Sequence, residues 1–252
     1  MKKFLVAGLV VLAAAPAAAT ASTTTETVYP DSTSWQSLDT RAPGTFDFVL
    51  GPAGAPLGYG SLHLSTPDGT AKVNLGNAQL AGTPLADVDA LSYSTYRSSA
   101  STGLSVQAPS LQLAVTGTTG GFTTLVFEPV YNTDQGTVTD DTWQDWDAFN
   151  GGQGVWWSTH DLANQPAFTG YRTWSQIVAD NPNAVVQAAF INQGSGNPGI
   201  DANVDAVTLG ASGDSTRYDF EPSKDACKGS GWAASGAFRN QGDCVSSLEG
   251  DR

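Results

Sequence analysis

The sequence predicts an all-β globular fold, a sandwich or a barrel, from three observations. Short runs rich in Val, Leu, Ile, Phe, Tyr and Thr recur along the chain. Clusters of Gly, Pro, Asn and Asp separate them at the spacing of turns between strands. Only one stretch carries the start and stop signals of a helix, so strands dominate.

Taken in order, a Thr-rich leader at 22–27 precedes a first strand at 45–50, which a Gly/Pro cluster at 51–56 ends. Further strands are expected at 60–64, 72–75, 90–96, 110–115 and 123–130. At 111–115 every second residue is a large aliphatic, the period of a strand with one buried face. The run 124–130 is apolar on both sides except for Glu128, which predicts a central position. Pro129 marks its end or a bulge, since it cannot donate to a ladder. Thr173 and Gln176 have the spacing of a capping box, so one short helix begins there and stops at Asn181-Pro182. Strands at 184–193 and 204–209 follow, then a flexible turn or linker from Thr208 to Ser215 and an edge strand at 218–220. No repeat of solenoid or propeller period is present.

The N-terminus reads as a secretory signal peptide over 1–21. Lys2 and Lys3 precede an apolar core of about a dozen residues, shorter than the roughly 20 of a spanning helix. Small residues at Ala17, Ala19 and Ala21 offer cleavage sites near Ala19 or Ala21. No Cys stands nearby to carry a lipid anchor. Losing Lys2 and Lys3 would move the formal charge from −13 to −15. So acidic a chain argues against nucleic acid and anionic membrane surfaces as partners. The expected destination is extracellular, and oxidising. There the two cysteines, Cys227 and Cys244, are expected to pair as a disulfide, because no His lies near to complete a zinc shell. The domain plan is therefore a signal peptide at 1–21, a β-domain at 22–222 and a disulfide tail at 223–252.

Two stretches carry a family resemblance. Cys227-Lys228-Gly229-Ser230-Gly231-Trp232 followed by Phe238-Arg239-Asn240-Gln241-Gly242-Asp243-Cys244-Val245 resembles a terminal motif, C-K-x-G-G-W then F-x-N-Q-G-x-C-V, of secreted actinobacterial-type proteins of unknown function. It departs from that motif at Ser230 and Arg239. Leu57-Gly58-Tyr59-Gly60, Leu125-Val126-Phe127-Glu128-Pro129 and Asn203-Val204-Asp205-Ala206-Val207 resemble the domain that precedes that tail, the last being similar to the closing strand of jelly-roll carbohydrate-binding modules. The resemblance implies a jelly-roll-like β-sandwich with one short helix and a small disulfide-closed C-terminal tail. The same analogy allows a structural calcium ion, with Asp47 and Asp205 as candidate ligands; because no D-x-D-x-D-G loop is present, plain surface acids are the favoured reading and no cofactor is expected.

Chemistry is sparser. The chain has only two histidines, His63 and His160, and no G-x-S-x-G turn, which disfavours a serine hydrolase. Nucleotide-binding glycine motifs are absent. Glu128 is the most suggestive carboxylate, interrupting an otherwise apolar strand, and a glycosidase or lyase would need it paired with Asp89, Asp145 or Asp147 across a sugar bond. Trp143, Trp146, Trp156 and Trp157 place four of the seven tryptophans within 15 residues. Flat indoles beside amides suit a glycan-binding face, although alternation sends half of them inward. The expected face is Arg97, Glu128, Gln144, Trp146 and Trp157. The leading expectation is a secreted, noncatalytic binder of an extracellular glycan or cell-envelope polymer. A carbohydrate-active enzyme using Glu128 and a structural or adhesive envelope protein are the alternatives.

Overall fold

A computed structural model describes residues 21–249. The signal peptide lies outside these residues except for Ala21. Fourteen strands form two curled seven-stranded sheets packed face to face as a jelly-roll-like sandwich, with a small helical tail at one end. Among the described residues no helix is long and apolar enough to cross a membrane.

The first sheet, sheet A, contains β1 (Ser22–Val28), β3 (Thr45–Leu50), β4 (Gly60–Thr66), β6 (Val88–Arg97), β9 (Trp143–Asp147), β13 (Ile200–Ala211) and β14 (Asp214–Phe220). Its organiser is β13. Along one side it pairs with β6, which pairs with β9. Its other side is shared: Ile200 to Val204 pair with β4, and Val207 to Ala211 pair with β14. The fork falls at Asp205 and Ala206, where the register with β6 shifts and Ala206 takes a φ of 53°. Such a bulge bends the strand and lets two partners leave it in different directions.

Sheet B is ordered β11 (Arg172–Thr173), β10 (Val155–Ser158), β8 (Gly121–Phe127), β7 (Ser110–Thr118), β12 (Val185–Gly194), β5 (Lys72–Asn77) and β2 (Gln36–Ser37). Alternation decides what faces the core. Leu111, Leu113 and Val115 of β7, with Leu125 and Phe127 of β8, are fully buried against Leu62, Leu64, Leu91 and Phe220 of sheet A. Each such side chain contributes roughly 1.5–3 kcal/mol by leaving water. Tyr93 meets Phe127 edge to face across the sandwich at 6.1 Å, and Phe127 continues to Trp156 at 5.6 Å. Helix α1 (Trp174–Asp180) adds Trp174 to that cluster, 5.4 Å from Trp156. Both arms of its capping box, between Thr173 and Gln176, are formed.

Several expectations need correction. The Thr-rich leader is strand β1, laid parallel on β14. The stretch after Thr208 is no linker: β13 runs on to Ala211 and turns tightly into β14, which is covered on both sides rather than lying at an edge. Strand β8 stops at Phe127, and Pro129–Tyr131 is a single 3-10 turn that Pro129 opens. The helix through Gln176 is joined by two more in the tail, α2 (Gly231–Ala234) and α3 (Gln241–Glu249).

Cys227 and Cys244 are joined in a disulfide, and no free cysteine occurs among the described residues. With Phe238 and Leu248 they make a satellite core of their own, packed against Leu50 of the sandwich and Trp232 of the tail. Tyr59 stacks on Phe238 at 4.9 Å, so the loop between β3 and β4 is the seat of the tail. That loop is itself tied down: Asp205 accepts from the backbone N–H groups of Leu57 and Phe220 at 2.9 and 3.1 Å, and Glu221 accepts from those of Tyr59 and Gly60.

Candidate functional site: the outer face of sheet B

The residues expected to form one ligand face divide between the two sheets. Arg97, Gln144 and Trp146 belong to sheet A. Arg97 is 3% exposed and its guanidinium is spent on the Asp140 carboxylate and the Gly103 carbonyl, the latter at 3.0 Å. Gln144 braces a loop, accepting from the N–H of Thr139 and donating to the carbonyl of Thr137. Trp146 is core, its indole N–H donating to the Thr95 hydroxyl at 2.8 Å. These three are removed from the candidate face. Trp143 is the β9 indole that turns outward; it packs on Tyr96 at 5.6 Å and donates to the carbonyl of Pro52, beneath the β3–β4 loop.

The remaining two, Glu128 and Trp157, do come together, on sheet B. Trp157 donates its indole N–H to Glu128 Oε2 at 2.8 Å. Burial pushes the Glu128 carboxyl above its ordinary pKa, an effect the indole bond partly offsets. Asp89, Asp145 and Asp147, its expected catalytic partners, stand on β6 and β9 of the other sheet. Asp145 is held there by the Ser94 hydroxyl, and Asp89 accepts from the N–H of Gly213. The paired-carboxylate arrangement of a glycosidase is therefore not assembled with those residues.

Strand register extends this pair into a surface. Trp157 pairs with Val126, Val126 with Gln112, Gln112 with Phe190, Phe190 with Gly76 and Gly76 with Gln36. Their neighbours in sequence, Phe127, Leu111, Leu113, Ile191 and Leu75, point into the core. The row therefore lies on the outer face and crosses six strands, about 24 Å at a spacing of ~4.8 Å. Gly76 has a reason to lack a side chain. A Cβ there would stand 3.1 Å from two ring carbons of Phe190 and would also strike Leu38, so the glycine lets the Phe190 ring lie close over the sheet. At that end Gln36, Leu38, Gly76 and Ala188 border a shallow groove of about 170 Å³.

Beyond Trp157 the surface continues into exposed aromatics. Phe168 packs on Trp157 at 5.8 Å, and Tyr171 packs on Tyr131 at 4.4 Å. Phe168 is 62% exposed and Tyr131 and Tyr171 are about two-fifths exposed. The loop that presents them is built rather than loose. The buried Gln165 amide donates to the carbonyls of Trp156 and Gly170, and the N–H of Phe168 bonds to the carbonyl of Ser158. Phe168 itself is held at φ 60°, a conformation that costs a bulky residue energy and tends to mark functional surfaces. Neither Phe168 nor Tyr171 stood out in the sequence, because the two sit in a loop and only the fold brings them to Trp157.

Sheet A carries a second groove of about 390 Å³, bordered by Thr23, Ser92, Asp145, Asp147, Thr208 and Arg217. It is lined by hydroxyl and charged groups, and both of its aromatic residues, Tyr93 and Trp146, are buried. The candidate metal ligands are not assembled into a site: Asp47 is exposed on β3, opposite His63, whereas Asp205 is buried at the fork and engaged by two backbone N–H groups. Among the described residues no group of three or more His, Cys, Asp or Glu side chains is arranged to hold a metal ion.

The chain matches no known protein-family model, no characterised protein and no solved structure.

Proposed function

We propose that this protein is a secreted, noncatalytic glycan-binding sandwich whose ligand lies across the outer face of sheet B. The observation that carries the reading is the in-register row Trp157, Gln112, Phe190 and Gln36, continued by the exposed Phe168, Tyr131 and Tyr171. Ring faces can lie on the C–H surfaces of sugars while side-chain amides bond to hydroxyls, the mix of apolar and sparse polar groups that ligand surfaces use. A row about 24 Å long suits a polymer better than a single sugar. Solvent-facing rings on ordered backbone also lose little freedom on binding, which keeps affinity. The signal-peptide pattern and the disulfide support an extracellular setting.

The test is affinity electrophoresis of the intact folded protein through gels containing cell-wall and plant polysaccharides, followed by titration with oligomers of whichever polymer retards it. Trp157→Ala and Phe190→Ala should each weaken binding about tenfold or more, the scale of an aromatic anchor. Trp143→Ala, on the other sheet, should leave it within about twofold. No retardation by any polymer would remove the proposal, as would equal losses for the two sheets.

A further inference from the structure

The aromatic cluster at the β10 end of the row adjoins a carboxylate, and that combination has a chemistry of its own. Glu128 comes directly after β8, and Tyr131 follows it by one 3-10 turn, with its N–H on the Glu128 carbonyl at 3.2 Å. Tyr171 stacks on Tyr131, Trp157 bonds to the carboxylate, and Phe168 stacks on Trp157. One ring thus bonds the acid directly, a second lies three residues along the chain from it, and each carries a further exposed ring packed on it. Among the described residues Glu128 has no ion-pair partner. Arg97 is engaged by Asp140, Arg172 by Asp180 and Lys72 by Asp39. Among the described residues the only side chain that hydrogen-bonds to it is a neutral indole, which occupies Oε2 and leaves Oε1 without a side-chain donor.

Ring faces are the negative pole of an aromatic quadrupole, so rings grouped around a compact positive charge attract it. A partly desolvated carboxylate beside them, once ionised, adds a negative charge that water screens only weakly. We propose that this cluster binds a positively charged amine carried by the ligand, so that the preferred polymer on this face is a glycan with free amino groups rather than a neutral or acidic one. The inference rests on the glycan reading of the same face and names the class of sugar. An acidic protein also draws a cationic polymer toward it at long range, while this cluster reads the amine at short range.

The full chain is titrated, by tryptophan fluorescence at near-neutral pH, with equal-length β-1,4 oligomers of glucosamine, N-acetylglucosamine and glucose, and separately with tetramethylammonium chloride. The glucosamine oligomer should bind about tenfold more tightly than the other two. Glu128→Gln keeps an oxygen for the Trp157 indole, and an unchanged melting temperature confirms the fold. It should abolish that preference, the affinity for the glucosamine oligomer falling to that for the other two. Tyr171→Ala, at an exposed ring, should reduce the preference without reversing it. Equal affinity for the three oligomers, or a preference that survives Glu128→Gln, overturns the inference. If the neutral oligomers bind without that preference, the inference falls and glycan binding stands. If tetramethylammonium changes the fluorescence in a Glu128-dependent way while no oligomer binds, the amine site stands and the glycan reading falls. If neither kind of ligand binds, both fall.

Discussion

Arg97 illustrates how burial reassigns a side chain. Read from sequence, Arg97 is a reasonable glycan ligand, but in the fold it is enclosed and holds Asp140 to the loop carbonyls of Gly103 and Leu104. Arg97→Ala should therefore cost about 2 kcal/mol of stability, by leaving those acceptors unpaired, and should not alter ligand binding. Denaturant melts and polysaccharide titrations of one variant separate the two effects. The tryptophans were half legible: a period of two dictates that Trp143 and Trp146, like Trp156 and Trp157, face opposite ways, but which member is inward depends on where the other sheet lies. A pair of acids makes a further residue-level prediction. Burial pushes Asp205 and Glu221 up to about 7 each; the charge of Asp219 adds to both, and that of Asp205 to Glu221. Their ordinary values are 3.8 and 4.5, so between about pH 4 and 7 the folded chain binds more protons than the unfolded one and stability falls as pH rises. The melting temperature should be higher at pH 5 than at pH 8, by on the order of 5 °C. Asp205→Asn should flatten that slope; an unchanged slope would show that Asp205 does not titrate in this window.

At the scale of elements, those with a strong local signal were readable. The strand at Thr45–Leu50 and the α1 capping box follow from period and capping chemistry that depend little on the rest of the chain. Thr173→Ala should accordingly cost about 1 kcal/mol, measured by denaturant unfolding, through loss of the hydroxyl that accepts from the Gln176 N–H. Elements whose stability comes from partners were not readable. Strand β1 is exposed from Ser22 to Glu26, shows no alternation, and exists because β14 offers it a ladder. Strand β11 is only two residues long, yet it sets the level at which Tyr171 leaves the sheet. The tail helices are short segments of modest propensity, nucleated around a covalent link and a handful of apolar residues, so a helix period could not develop in them.

For the molecule as a whole, the layered architecture was legible from strand count and turn spacing, whereas convergence of the site was not. Glu128, Trp157, Phe168 and Tyr171 are spread over more than forty positions and meet only because β8, β10 and β11 are neighbours in one sheet. The tail offers a test of how independent the two cores are. Replacing both cysteines by serine should release about 3 kcal/mol of constraint on the unfolded tail, on the chain-entropy view. Limited proteolysis should then cut beyond Pro222 while the sandwich keeps its melting transition. The fork in β13 bears on when the protein can fold at all. One strand near the end of the chain supplies the ladder both for β4, formed from residues 60–66, and for β14, on which the first strand lies. Within sheet A the β3–β4 and β6–β9 pairs can form early, but nothing joins them until β13 has been made, and β1 must wait, unpaired, until about residue 220. Such non-local pairing folds slowly, over milliseconds to seconds. A chain that stays open this long is well suited to being threaded through a narrow pore before it closes.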